Sequence, residues 1–112
     1  MGTIDLSKKE YEITLTTGTD INIDNVSGKL NSIIIDSKET ISITIESSLG
    51  YLIFHNSQHV GARYYAPRAV LQGSQENIVV QDQFDKFKLN ESLNILVHGP
   101  TNAEVNIIIR ID

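Results

Sequence analysis

The sequence predicts an all-β protein, an antiparallel β-sandwich or jelly roll of about eight strands. In several segments apolar residues alternate with polar ones, and side chains in a strand point alternately to opposite faces. Isoleucine dominates the apolar residues and threonine is frequent among the polar ones, and both lose rotamer freedom in helices. Turn-forming residues recur about every 8 to 12 positions, which favours a sandwich or a jelly roll over alternating helices and strands.

The clearest alternation lies between residues 93 and 111. Odd-numbered positions are apolar in residues 93–97 and again in residues 103–111. The segment between the two runs contains Gly99 and Pro100, which are typical of turns. The pattern predicts two strands with one core-facing side each, folded back on each other as a β-hairpin.

The first half of the chain predicts four strands, separated by turn-forming residues. The strands are expected at residues 11–16, 21–26, 30–35 and 41–46, with turns at residues 17–20 and 36–39 and a strand end at Ser27 and Gly28. The triplets at residues 33–35 and 107–109 are unbroken isoleucine. Each triplet predicts a strand that is covered on both faces or that lies at a subunit contact.

The pattern loosens between residues 51 and 80. A strand is predicted at residues 51–55, a polar loop at 56–61, a turn at 72–77 and a short strand at 78–80. The run at residues 62–71 contains Pro67, which cannot donate to a sheet ladder, so this run is expected to be an edge strand, a bulge or an extended loop. Phe84, Phe87 and Lys88 have helical spacing and predict one helical turn near residues 82–88.

Length and composition predict one domain, residues 1–112, and limit the classes of partner. The formal net charge of -5 disfavours nucleic acid, because phosphate backbones are bound mainly by clustered Lys and Arg. No apolar segment approaches the ~20 residues that cross a bilayer, and no signal-peptide pattern is present. We therefore expect a soluble, unprocessed chain without a membrane partner, in a compartment that the absence of cysteine leaves open.

No motif in the chain indicates a reaction, and no catalytic residue, cofactor or metal is predicted. His55 and His59 have the spacing of zinc ligands on a helix, but His55 ends a strand-like segment and His59 lies in the polar loop that follows, so no helix is expected there. His98 could converge with them only through the fold. A small enzyme using these histidines is therefore the third-ranked hypothesis, and solvent-facing loop histidines are the simpler interpretation.

Residues 61–68 are the best candidate for a contact surface. Tyr and Arg are enriched in interface hot spots, because a ring or a planar guanidinium combines contact area with directed hydrogen bonds. The predicted protein-interface residues are Tyr51, Arg63, Tyr64, Tyr65 and Arg68. Since neighbours in a strand point opposite ways, the alternative is that Tyr64 or Tyr65 faces the core. A carbohydrate- or receptor-binding module using Arg63, Tyr64 and Tyr65 is the second-ranked hypothesis, although the chain has no Trp for stacking on sugars.

The second half of the chain, about residues 50–112, contains two segments that suggest a resemblance to a known group of proteins. It contains Leu89-Asn90-Glu91-x-Leu93, followed by Gly99-Pro100-x-Asn102-Ala103-Glu104-Val105. In a cysteine-free, acidic β domain of this size, these segments resemble small accessory proteins of tailed-bacteriophage virions, such as capsid-decorating and head- or tail-associated proteins.

The resemblance implies a non-enzymatic structural protein with a β-sandwich or jelly-roll fold, located in the virion. Its partners would be other virion protein subunits, and it would form a homo-oligomer. No functional residue of that group can be transferred to a position of this chain. This structural role is the first-ranked hypothesis.

Overall fold

The computed structural model describes residues 9–72 and 79–112, and these residues form β-strands without any helix. The strands are β1 Lys9–Thr16, β2 Asp20–Ser47, β3 Leu52–Tyr65, β4 Ala69–Gln72, β5 Val79–Asp85, β6 Lys88–His98 and β7 Glu104–Ile111. Five of them form one antiparallel sheet, and β4 pairs with β5 alone. The all-β prediction is confirmed. Within the described residues there is no helix that could cross a membrane.

Strand β2 is 28 residues long and changes its partner twice. Its first segment, residues 20–29, pairs with one edge of β6, its middle segment, residues 30–37, pairs with β7, and its last segment, residues 42–47, pairs with the other edge of β6. Leu96 of β6 therefore lies between Asp20 and Thr44, which both belong to β2. The first partner change follows Gly28, whose φ of 126° is accessible mainly to glycine.

The strands predicted at residues 21–26, 30–35 and 41–46 are therefore joined end to end in β2 rather than separated by turns. The turn at residues 17–20 is confirmed, since Thr17 and Gly18 adopt a turn before β2 begins at Asp20. The turn predicted at residues 36–39 is wrong, because the chain stays extended there and absorbs extra residues as a bulge between Ser37 and Ile41. Polar residues serve bulges as well as turns, so composition did not separate the two.

Strand β3 runs back along β2, pairing first with residues 41–46 and then with residues 33–37. It bends at Gly61, which has a φ of 81°. The loop predicted at residues 56–61 is wrong, because the strand continues through this bend to Tyr65. Pro67 lies in the connection between β3 and β4, where no ladder hydrogen bond is required of it.

The helical turn predicted in the second half is also wrong. No helical turn forms near residues 82–88, where β5 ends at Asp85 and β6 begins at Lys88. The backbone amide of Leu30 donates to the carbonyl of Phe87 at 2.9 Å and holds this connection extended. The turn predicted at residues 72–77 lies, apart from Gln72, outside the described residues, and β5 begins at Val79 within the predicted strand.

Strands β6 and β7 do not form the predicted hairpin. Strand β6 pairs with two segments of β2, whereas β7 pairs with β1 and the middle of β2. The connection between them crosses beside the turn that joins β1 to β2, because Gly18 donates to Val97 at 2.8 Å and Thr17 donates to Ala103 at 2.9 Å. Alternation reports which face of a strand is buried, and it carries no information about which strand lies at its edge.

The buried faces agree with the alternation. The odd-numbered positions of residues 93–97 and 105–111 are all buried, and Ile33, Ile35, Ile41, Ile43 and Ile45 complete the centre of the core. Each of these side chains contributes roughly 1.5–3 kcal/mol by leaving water. Among the described residues, the buried hydrophobic side chains form one cluster.

Candidate functional site

Tyr64 has 61% of its surface accessible, compared with 36% for Tyr51. It lies on the outer face of the sheet, directly opposite Ile34, which is in turn opposite Ile108 of β7. Both isoleucines are half-buried, while their chain neighbours in each triplet point into the core. We call Tyr64, Ile34 and Ile108 the Tyr64 row.

Polar side chains flank the Tyr64 row. On β1 the residue in register with Ile108 is Glu12, which is exposed. On one side of the Tyr64 row, Glu10 forms an ion pair with Arg110, with Oε1 of Glu10 3.9 Å from Nε of Arg110. On the other side Thr14 donates through Oγ1 to Asn106 Oδ1 at 2.8 Å. An apolar centre with a polar rim is the anatomy of a protein–protein contact.

Tyr65 points the opposite way and serves the fold. Its hydroxyl lies 2.6 Å from Nδ1 of His59, whose Nε2 lies 2.8 Å from the carbonyl of Gly61. Because a carbonyl only accepts, Nε2 carries the hydrogen and the Tyr65 hydroxyl donates to Nδ1. The Asn56 amide donates to the same hydroxyl at 3.1 Å, and the Tyr65 ring packs against Phe54 with centroids 4.6 Å apart. Tyr65 therefore fastens the two halves of β3 together.

The two arginines of the predicted surface bind backbone carbonyls. Arg63 is exposed, and its Nε donates to Val60 at 3.2 Å across the bend of β3. Arg68 is half-buried, and its Nη1 donates to Asn31 at 3.1 Å and to Pro67 at 2.8 Å. Arg68 thus ties the connection after β3 to β2, and Arg63 is the arginine of the pair that faces solvent.

Tyr51 belongs to a separate cluster at the turn between β2 and β3. Its hydroxyl donates to Glu91 Oε1 at 2.7 Å, and Ser47 donates to Glu91 Oε2 at 2.6 Å. The Tyr51 ring stacks on Phe87 with centroids 6.2 Å apart. Sequence reasoning missed this cluster, because Glu91 lies 40 or more residues along the chain from both hydroxyls. Leu49, at the tip of the turn, is 75% exposed.

The cluster shifts the acidity of two groups. Partial burial acts to raise the pKa of Glu91, but the hydrogen bonds from Ser47, Tyr51 and the Asn90 amide outweigh it, so the pKa lies below its usual value. Burial and the neighbouring Glu91 carboxylate raise the pKa of the Tyr51 phenol. An ionised Glu91 that accepts two hydroxyls is therefore the stable state of this turn.

The histidines do not converge. His59 is buried against Tyr65, whereas His55 and His98 are exposed, and His55 Nδ1 lies 2.9 Å from the Thr44 hydroxyl. In the part of the chain that the structure describes, no group of three His, Cys, Asp or Glu side chains is placed to hold a metal ion. The structure thus gives each histidine a separate environment.

Sequence reasoning also missed a polar row on the outer face of β6. Asn94 lies between Asn22 and Glu46, which belong to two different segments of β2. Asn22 donates to Asn94, and Asp20, Ile21 and Leu96 complete the lining of a shallow depression of about 310 Å³. Asn22 and Asn94 are 72 residues apart, so only the pairing of β2 with β6 brings them together.

Comparison with known proteins adds no relative. No protein-family model matches the chain, and no curated protein matches its sequence. The surfaces described above are therefore the basis for a functional proposal.

Proposed function

We propose that this protein is a non-enzymatic structural protein that acts through protein–protein contacts, as an accessory subunit of a bacteriophage virion. In this proposal it forms a symmetric homo-oligomer and attaches to other virion subunits, in capsid decoration or in association with the head or tail. The observation that carries the proposal is the Tyr64 row, with a tyrosine 61% exposed beside two half-buried isoleucines.

The Tyr64 row has the chemistry of a contact centre. A tyrosine ring offers a large apolar area and a hydroxyl at low conformational cost, which is why tyrosine is enriched in hot spots. Ile34 and Ile108 lie on the solvent side of the sheet, while the core is supplied by their neighbours in the triplets. Apolar side chains placed there gain burial only when another surface covers them.

In finer detail we propose a jelly roll of eight strand segments. The pairing describes one long antiparallel ribbon, in which residues 9–16 pair with 104–111, 20–29 with 88–96, 33–37 with 61–65 and 41–46 with 52–59. The ribbon is wound on itself, because β6 also pairs with residues 42–47 and β7 with residues 30–37. Such winding produces two four-stranded groups, an architecture that capsid and lectin domains share.

Mass measurements on two Tyr64 variants test the proposal. We expect the wild-type protein to self-associate in light scattering across a concentration series, and Tyr64→Ser to shift the mass toward the monomer. Tyr64→Phe keeps the ring and is expected to assemble like the wild type. Equal masses for all three proteins would remove the Tyr64 row from the proposal, and an unchanged thermal midpoint shows that each variant is folded.

A second candidate function, carbohydrate binding, is favoured by the polar row of Asn22, Asn94 and Glu46. Amide and carboxylate groups form the hydrogen bonds that sugar hydroxyls require, and the depression places them beside Leu96. In this candidate the polar row takes the place of Tyr65 as the sugar-contacting group, because the Tyr65 hydroxyl is hydrogen-bonded to His59. Glycan binding that is lost in Asn94→Ala and kept in Tyr64→Ser would support this candidate over the first.

A further inference from the structure

In the described part of the chain, strand β1 has one edge without a partner strand. Among the described residues it pairs only with β7, over eight consecutive positions without a register shift. The first segment of β2 has a shift between Ile23 and Val26, where Asn25 adopts a φ of 57°, and the pairing of β3 with β2 is interrupted at three places. Bulges protect a strand edge against further pairing, so β1 is the edge best suited to accept another strand.

The side chains of β1 are incompletely covered. Tyr11 and Ile13 face the core but remain half-buried, and Leu15 is buried. Beyond the following turn, Ile21 and Ile23 of β2 are half-buried against the same core. A strand added to β1 would remove further apolar surface of this group from water, at roughly 25 cal/mol per Å².

Charge and strand length together favour one register for a second copy. The outer side of β1 carries Glu10, Glu12, Thr14 and Thr16. If a second copy pairs antiparallel with Ile13 opposite Ile13, Glu12 lies opposite Thr14 and Glu10 opposite Thr16. Centring the pair on Thr14 or Leu15 would pair fewer residues of β1 than centring it on Ile13. Centring it on Glu12 would oppose two glutamates, and centring it on Tyr11 would oppose Glu10 to Glu12. Like charges directly opposite each other destabilise a strand pair.

We infer that a second copy of this chain docks on β1 by antiparallel strand addition, with a two-fold axis at Ile13. The contact is self-complementary, since Tyr11 of each copy lies opposite Leu15 of the other, and main-chain hydrogen bonds join the two sheets across the axis. The inference rests on the proposed self-association and adds β1 as a second contact surface, separate from the Tyr64 row.

Cysteine cross-linking tests this register, because the chain contains no cysteine of its own. Glu12→Cys and Thr14→Cys both lie on the exposed side of β1, away from the core. In the inferred dimer, position 12 of one copy faces position 14 of the other within disulfide reach, whereas two cysteines at position 12 are about 8 Å apart at Cα. We expect mild oxidation to cross-link a mixture of the two variants and to leave each variant alone largely uncross-linked.

A mixture of Glu10→Cys and Thr14→Cys is the control, because it places cysteines out of register. Absence of the cross-link, in a protein that light scattering shows to be oligomeric, would overturn the β1 contact and leave the proposed function standing. A monomer at every concentration would overturn both. A cross-link between positions 12 and 14, in a protein whose mass is insensitive to Tyr64→Ser, would support the β1 contact and remove the Tyr64 row.

Discussion

Replacing Tyr65 with Phe is predicted to destabilise the fold, although the change removes a single oxygen atom. That oxygen lies 2.6 Å from His59 Nδ1 and 3.1 Å from Asn56 Nδ2. His59 is 0% exposed, so water cannot replace the lost donor. Leaving one buried nitrogen without its hydrogen bond costs about 2 kcal/mol. For a domain of this length, that corresponds to a fall of about 8 °C in the thermal midpoint.

The neighbouring tyrosine provides a matched control for this change. Tyr64→Phe removes the same atom from a side chain that is 61% exposed, and a surface substitution of this kind changes stability by less than about 0.5 kcal/mol. Urea and thermal unfolding of the two variants measure the difference. If Tyr65→Phe unfolded at the same midpoint as Tyr64→Phe, the hydroxyl would not be holding His59 and the two halves of β3 together.

Three further changes have expected outcomes. Gly28→Ala should lower the free energy of unfolding by more than about 2 kcal/mol, because φ is 126° and an added Cβ would lie 2.5 Å from Ile111 Cγ2. Gly18→Ala, with φ 84° and no atom within 4 Å of the added Cβ, should lower it by about 1 kcal/mol. Urea unfolding compares the two variants. Because the pKa of Glu91 is depressed in the folded state, its contribution is present above the unfolded pKa and is lost as pH falls through the folded pKa. Wild type should therefore exceed Glu91→Gln in stability at pH 7 and approach it under strongly acidic conditions, and a gap independent of pH would contradict this. Thr14→Lys, opposite Glu12 in the inferred dimer, should raise the oligomeric mass fraction relative to Thr14→Glu, and equal fractions would count against the register.

The features that the sequence predicted correctly are local ones. Alternation at residues 93–97 and 105–111 identified buried faces, because the two-residue period of a strand is set by its own backbone. The isoleucine triplets indicated that Ile34 and Ile108 would lie on a second face, and the pairing places them opposite each other. Alternate pointing in a strand also anticipated that only one of Tyr64 and Tyr65 would face the interior.

The features that it missed depend on strand pairing. Leu96 lies between Asp20 and Thr44, residues 76 and 52 positions away in the chain, and nothing in its neighbourhood indicates either partner. The predicted hairpin between β6 and β7 failed for the same reason, since a connection containing Gly99 and Pro100 suits a crossing as well as a tight turn. Glu91 binds Ser47 and Tyr51 at the turn between β2 and β3, and only the pairing of β2 with β6 brings these side chains together.

Light scattering on the wild-type protein is the most direct measurement of its self-association. We expect a mass that is an integral multiple of 12.5 kDa at high concentration and that falls toward 12.5 kDa on dilution. A mass of 12.5 kDa at every concentration would contradict symmetric self-association, and with it the contact inferred at β1.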